Sequence, residues 1–522
     1  MTRKTKFHSP LSQNISKRQF LSAAGAAAAS ATLTTSQPSK AADDAWDAII
    51  IGGGTAGLPA AIFAGQRGAK VLIIEAAPVI GGTMFLSSGQ MSAAGTKLQK
   101  SKGITGDSPQ SHYDDVMRIS NNTADPYILR LATENAAPAF DWLTDNGFEV
   151  YPHHPVTGTT HEPYSHARYA WHKEGAMGIL AVFEKLLEPL TASGAVTIMT
   201  STEASELIQD DNGNVIGVVT VNADGKTARY MGKNVVLTSG GYASNPEMFE
   251  ELEGAPDYSD VSYPYSQGAG ITLGTSVGGY VRYGEHHLPL FGAILADEDY
   301  PAPMVAVARH FPGDRPPWEI IVDAQGKRFL QEDILSHAAY EEALVEQPGE
   351  QCWTVWDHEI HTQAPRLISG GFMGMMEPDD IAEAFNEGYH NFFKADSLEE
   401  LAVKMGVDKT GLSRTVAEYN KAQAGETKDP LGRTHMPLPI EKGPFYGVRL
   451  QSWFLTTFAG IAVGEGLQVI RQDGSKIGGL YAAGEILGTG ATSGRAICGG
   501  MLVTPAIAFG KLLGEQFLQF DA

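Results

Sequence analysis

The segment that most constrains this chain is Gly52-Gly53-Gly54-Thr55-Ala56-Gly57. It follows Asp47-Ala-Ile-Ile-Ile51, a short apolar run that reads as a buried parallel strand. A helix-forming stretch over 58–67 comes next, and Gly68 ends it. A second buried strand, 70–75, closes on the acid Glu75. A lone Gly-x-Gly-x-x-Gly turn is weak evidence. Placed between strand and helix, with an acid at the end of the next strand, it has a specific physical use. Gly52 permits the tight turn, Gly54 lets a pyrophosphate approach the backbone, and Gly57 lets helix and strand pack closely. Ala56 lies where free N–H groups at the helix start face phosphate, and Glu75 would accept hydrogen bonds from ribose hydroxyls. The unit predicts an α/β, Rossmann-like domain that binds a dinucleotide.

The rest of the composition narrows the class. A length of 522 residues allows two or three domains, and 43% hydrophobic with 19% charged residues excludes wholesale disorder. The formal charge of −22 argues against a nucleic-acid partner. Two cysteines, Cys352 and Cys498, exclude a disulfide framework, a Cys-rich zinc site and a cysteine-ligated iron–sulfur cluster. Each reads as a buried thiol. The 59 glycines exceed the roughly 7% of ordinary usage, so the backbone must be approached closely at several places. Residues 1–42 read as an export signal. Basic residues (Arg3, Lys4, Lys6, Lys17, Arg18) precede or flank an Ala-rich stretch, and small residues surround Ser39-Lys40-Ala41. Ser16-Lys17-Arg18-Gln19-Phe20-Leu21 resembles the twin-arginine motif with Lys for the first Arg. A periplasmic or secreted protein, exported folded, is expected. No later run is long and apolar enough to predict a transmembrane segment.

Further motifs run in order along the chain. They are Glu75-Ala-Ala-Pro-Val-Ile-Gly-Gly-Thr-Met-Phe-Leu-Ser-Ser-Gly89, Asn234-Val-Val-Leu-Thr-Ser-Gly-Gly-Tyr242, Gly326-Lys-Arg-Phe329, Gly443-Pro-Phe-Tyr446, Gly479-Leu-Tyr-Ala-Ala-Gly-Glu485 and Gly499-Gly500. Together they resemble the FAD-dependent superfamily of fumarate reductases and 3-ketosteroid dehydrogenases. That resemblance implies an FAD-binding domain over 43–283 and 456–522, interrupted by an α+β cap domain over 284–455. It also implies the cofactor residues. Gly82, Thr83, Met84, Ser88 and Gly89 match positions around the pyrophosphate and isoalloxazine, and Ala204 an adenine-side contact. Gly240 and Gly241 match the second strand-turn, Gly484 and Glu485 the ribityl side, and Leu502 and Val503 the pyrimidine end. No His lies in 82–88, where some members attach the flavin, so FAD is expected to be non-covalent.

Local patterns fill in the remainder. The stretch 284–318 is rich in Pro and His and reads as irregular, and helices are predicted over 379–389, 397–404 and 412–422. Asp210 to Asn214 reads as a hairpin turn, and Glu250-Glu-Leu-Glu253 as a solvated face.

The catalytic half departs from the resemblance. Ser336 stands where fumarate reductases place a proton-carrying Arg. Thr456 and Ile497 stand where they place a His and an Arg that clamp carboxylates, whereas His287 matches the other clamp. Ala496 occupies the place of the ketosteroid dehydrogenases' Tyr. Arg495 is the candidate holder of a substrate carbonyl or carboxylate, the alternative being a salt bridge. His287, His337 and Tyr340 are candidates for proton transfer, the alternative being cap packing. Tyr164, His166, Arg168, Trp171 and His172 either line the pocket or form a surface loop. The residues rank desaturation of a ketone, ketosteroid-like or cyclic, first. A fumarate- or urocanate-type enoate or enone reductase comes second, and a flavin electron carrier third. Either enzyme acts on a small-molecule substrate and exchanges electrons with an external partner, a quinone or a redox protein.

Overall fold

The computed structural model describes residues 45–158, 162–313, 315–370 and 375–520. The expected signal segment lies outside them. In chain order the first half runs β1 (Trp46–Ile51), α1 (Gly57–Gln66), β2 (Val71–Ile74), α2 (Pro126–Asp145), α3 (Met177–Ala192), β3 (Val196–Met199), β4 (Thr202–Gln209), β5 (Val215–Asn222), β6 (Thr227–Leu237) and α4 (Pro246–Glu253). The middle runs β7 (Leu290–Leu295), β8 (Met304–Ala308), β9 (Ile320–Val322), α5 (His337–Val345), β10 (Gln351–Asp357), β11 (Ile368–Ser369), α6 (Pro378–Glu387), β12 (Phe392–Ala395), α7 (Leu398–Met405), α8 (Lys409–Gln423) and β13 (Phe445–Trp453). The chain then returns through β14 (Gln468–Ile470), β15 (Lys476–Ala482) and α9 (Val503–Leu512).

The first sheet has the order β14-β15-β6-β1-β2-β3, with the β4–β5 hairpin joined through β5 to β6. Its five central strands are parallel. Ile49, Ile50, Leu72 and Ile73 are fully buried, each side chain contributing about 1.5–3 kcal/mol. This is why β1 and β2 are continuous apolar runs rather than alternating ones. The register sets Ile51 level with Ile74 and Leu237, Ile74 with Met199, and Leu237 with Ala482. The turns that follow these strands therefore emerge at one edge. Asp210 lies in the β4–β5 turn, where its carboxylate accepts the N–H groups of Asn212 and Asn214.

The second sheet is antiparallel, ordered β9-β10-β13-β7-β8-β11, with β12 also on β13. Helices α6 to α8 fall within a few residues of the expected ones. The expectation of irregular chain over 284–318 is corrected by β7 and β8. Leu290-Phe-Gly-Ala-Ile-Leu295 is a nearly continuous buried run, and the Pro and His residues only flank it. Each sheet has its own large apolar core. A small third cluster, Leu288, Ala338 and Phe458 with Val345 and Ile497, joins α5 of the inserted part to segments beside the first sheet.

Candidate functional site

The level strand ends gather the glycine turns. Gly52 has φ +107° and its N–H donates to the Ile74 carbonyl at 2.8 Å. Gly57 opens α1 so close to the strand that an added methyl would lie 2.0 Å from the Gly52 oxygen. A methyl on Gly82 would lie 3.5 Å from Gly54 Cα, so these two bare backbones face each other. One on Gly484 would lie 2.9 Å from Ala56 Cβ, and one on Gly241 2.6 Å from Glu485 Oε1. The predicted positions 52–57, 82, 240–241 and 484–485 are thus one neighbourhood. Helices α1 and α9 both begin without a side-chain cap, at Ala56 and Leu502, which leaves their first N–H groups available to an anion. Glu75 Oε2 accepts the Gly53 N–H at 2.8 Å and Oε1 that of Ala77 at 2.7 Å. Burial nevertheless raises its pKa. Thr202 N–H binds the Glu75 carbonyl, which brings Ala204, two residues along β4, to the same side. Burial pushes Glu485 up to about 7. Met84 is buried, Thr83, Leu502 and Val503 are half-buried, and Ser88 is exposed. Gly89 packs on the turn before α3. Bare backbone, two uncapped helix starts and an acid at the end of β2 fit a dinucleotide with its diphosphate between α1 and the 81–82 turn.

The catalytic candidates divide. His287 is buried, with Nδ1 3.2 Å from Glu253 Oε2 and Nε2 3.6 Å from Glu350 Oε1. Burial lowers its pKa, but the two carboxylates outweigh burial and raise it to about 9. His287 is therefore a cation held between two acids. Arg495 is 40% exposed, its backbone N–H bonded to Thr123 Oγ1 at 2.7 Å and its Nε 3.9 Å from Glu342. His337 is buried and stacks on Phe311 with ring centres 3.9 Å apart. Tyr340 is not brought to the junction. It lies in the core of the second sheet, and its hydroxyl donates to the Glu332 carbonyl. The face of α5 that reaches the junction carries Ala338 and Val345.

The cluster 164–172 braces rather than opens the site. Arg168 is buried and spends its guanidinium on Asp107 at 2.6 Å, Asp115 at 2.7 Å and Ser111 at 3.0 Å. Tyr164 donates to the Gly499 carbonyl at 2.5 Å, beside the start of α9. Trp171 is half-buried, and His172 Nδ1 accepts the Glu174 N–H. His166 Nδ1 lies 3.0 Å from the Ser165 hydroxyl.

Glu253 corrects the expectation of a solvated 250–253 face. It is buried, and its Oε1 accepts Tyr242 Oη at 2.5 Å and the N–H groups of Phe458 and Ala459 at 2.7 and 3.1 Å. Phe249, one helical turn earlier and also buried, was the available signal. Glu162 joins the junction by accepting Arg118 at 2.7 Å and Ser336 Oγ at 3.4 Å. Cys352 and Cys498 are free and buried, as expected.

Comparison with known proteins agrees with this geometry. The family model described as FAD binding domain matches residues 47–502. The fumarate reductase (cytochrome) of Shewanella frigidimarina is 27% identical over 484 residues, 92% of this chain and 78% of that protein. The vinyl phenol reductase of Lactiplantibacillus plantarum is 29% identical over 461 residues, 84% of this chain and 90% of that one. Among solved structures, the 3-ketosteroid delta1-dehydrogenase of Sterolibacterium denitrificans has a TM-score of 0.72 at 18% identity, covering 91% of this chain and 99% of its own. The open form of a flavocytochrome c3 fumarate reductase has a TM-score of 0.67 at 22% identity, covering 94% and 84%. The chain belongs to the family described as FAD binding domain, and is an FAD-dependent oxidoreductase of CH–CH bonds.

Proposed function

We propose that this protein reduces the C=C bond of an uncharged alkene activated by a carbonyl or a conjugated ring. The observation that carries this is the charge of the junction. Glu162, Glu253, Glu342 and Glu350 gather around the apolar cluster of Leu288, Phe458 and Ile497. The cations there are largely spent. His287 lies between two carboxylates, and Arg118 between Asp115 and Glu162. A substrate carboxylate about 4 Å from one uncompensated acid meets a repulsion of about 4 kcal/mol at an effective dielectric near 20. A dicarboxylate meets it twice. An uncharged substrate is not opposed, and its body suits the apolar wall. Arg495, whose Nε approaches Glu342 only to 3.9 Å, is the cation this reading assigns to a carbonyl oxygen.

The residues alone rank ketone desaturation ahead of reduction. The fumarate and vinyl phenol reductases similar to this chain, and others named for NADH:acrylate oxidoreduction and urocanate reduction, support the opposite order. Bound FAD, held without a covalent link, supplies the hydride chemistry. The protein's own part is to orient the alkene against the Ile497 wall, to exclude water and to provide a proton. Electrons arrive from a separate reductant, a quinol or a redox protein, outside the cytoplasm.

The test is anaerobic. Reduced protein is mixed with cyclohex-2-enone, with a vinylphenol and with fumarate while flavin absorbance is followed. Reoxidation by a neutral alkene, and not by fumarate, is expected. The proposal fails if fumarate reoxidises the flavin as fast, or if only a saturated ketone reacts, by bleaching the oxidised protein.

A further inference from the structure

One carboxyl at the junction has no hydrogen-bond partner among the described residues. Glu341 is 1% exposed, and neither of its oxygens is bonded. Glu350, also buried, at least has His287 3.6 Å from one oxygen, and two further buried glutamates of the inserted part are tied down. Glu319 binds Arg315 and His310, and Glu332 binds Arg328 and the Ile321 N–H. A buried acid kept only for structure would be expected to have such partners, because an unpaired one costs stability.

Its place on α5 is informative. Glu341 lies three residues after Ala338 and four before Val345, on the stripe that packs on Leu288, Phe458 and Ile497. The opposite stripe, Tyr340 and Leu344, is sunk in the core of the second sheet. Arg495 lies 3.9 Å from the adjacent Glu342, and Ile497 packs in the same apolar cluster as Ala338 and Val345. The carboxyl therefore sits against segment 495–498, which leads into the uncapped start of α9. Burial, reinforced by the charge on Glu342, holds its pKa well above the usual carboxylate range.

We propose that Glu341 is the acid that supplies the proton in the alkene reduction, an inference that rests on the function proposed above. The balance is complete. The alkene receives a hydride, with its electron pair, from the reduced flavin at one carbon. It receives the Glu341 proton at the other carbon. The O–H bond breaks as the C–H bond forms, and the carboxylate regains a proton from water.

The experiment uses the FAD-loaded full chain as wild type, E341Q and E341D. An infrared band of a protonated carboxyl should be present at neutral pH without substrate, shift in deuterated water, and vanish in E341Q. Reoxidation of the reduced flavin by cyclohex-2-enone should slow by about 100-fold or more in E341Q, with KM within about threefold and part of the rate recovered in E341D. Unchanged infrared spectra in E341Q, or reoxidation within about threefold of wild type, overturns the role of Glu341 alone. Should E341Q fail to fold, a wild-type spectrum with no protonated-carboxyl band at neutral pH, or one whose band is unmoved in E341D, overturns it equally. If the wild type is reoxidised by no neutral alkene, the functional proposal itself falls, and the role of Glu341 with it.

Discussion

Substituting Gly57 and Gly54 by alanine separates two reasons for glycine in one turn. Neither residue needs a left-handed backbone, so alanine costs nothing in φ. At position 57 the new methyl would lie 2.0 Å from the Gly52 oxygen, 2.7 Å from Thr238 Oγ1 and 3.1 Å from Ile50 Cγ2. Ordinary contact begins near 3.4 Å, so α1 must move away from β1 by more than an ångström. Overpacking of that kind costs about 1–3 kcal/mol, and here falls at or above the upper end because the obstacle is backbone. At position 54 the methyl meets only the Gly81 oxygen, at 4.0 Å. The apoprotein should then gain the roughly 0.4–1 kcal/mol that alanine draws from a less free unfolded chain. The cofactor should lose its close approach, with affinity down about tenfold or more, equivalent to about 1.4 kcal/mol. Urea unfolding of the apoproteins gives the first quantity, and titration with FAD after dialysis the second. G57A should be destabilised as apoprotein, whereas G54A should fold well and bind FAD poorly. A G54A protein that binds FAD like wild type, or is destabilised as much as G57A, would refute the reasoning.

The His287 cluster predicts a pH dependence. Its folded pKa of about 9 lies above the ordinary 6.5, so its contribution is full below 6.5 and is lost as pH rises through 9. The loss is roughly 3 kcal/mol, readable from urea midpoints at pH 6.5 and 9.5, and E350Q should shrink it. Cys352 and Cys498 are buried, burial pushing Cys498 up to about 12. Neither thiol should react with a disulfide reagent in native protein, while both should react after denaturation. Arg168→Met should cost about 3–5 kcal/mol in chemical unfolding, because it leaves Asp107 buried without its cation and Asp115 with only the partly exposed Arg118.

The cofactor half was legible because it is written in short-range rules. A strand, a glycine turn, a helix and an acid lie within thirty-odd residues, and each glycine has a local reason. The catalytic half is spread across the fold. His287, Glu341, Glu350, Phe458 and Ile497 meet only when the inserted sheet folds back on the first. Spacing alone cannot tell which face of a helix will be covered. Thus Tyr340 looks as eligible as Glu341, one residue away, until packing sends the phenol into one core and the carboxyl to the junction. The same ambiguity made Glu253 read as solvated, although it is the acid that receives Tyr242 and two backbone N–H groups.

What this sequence determined by itself is a flavin-binding α/β frame and the absence of the usual proton-carrying Arg at Ser336 and of the carboxylate clamps at Thr456 and Ile497. Both follow from residue type at a known position in a local motif. Tertiary structure alone decided what replaced the clamps. It brought Glu162, Glu253, Glu342 and Glu350 around one apolar wall, paired His287 and Arg118 away, and left Glu341 buried without a hydrogen-bond partner among the described residues. Charge and burial at a site are sums over neighbours distant in sequence, and those neighbours exist only in the folded chain.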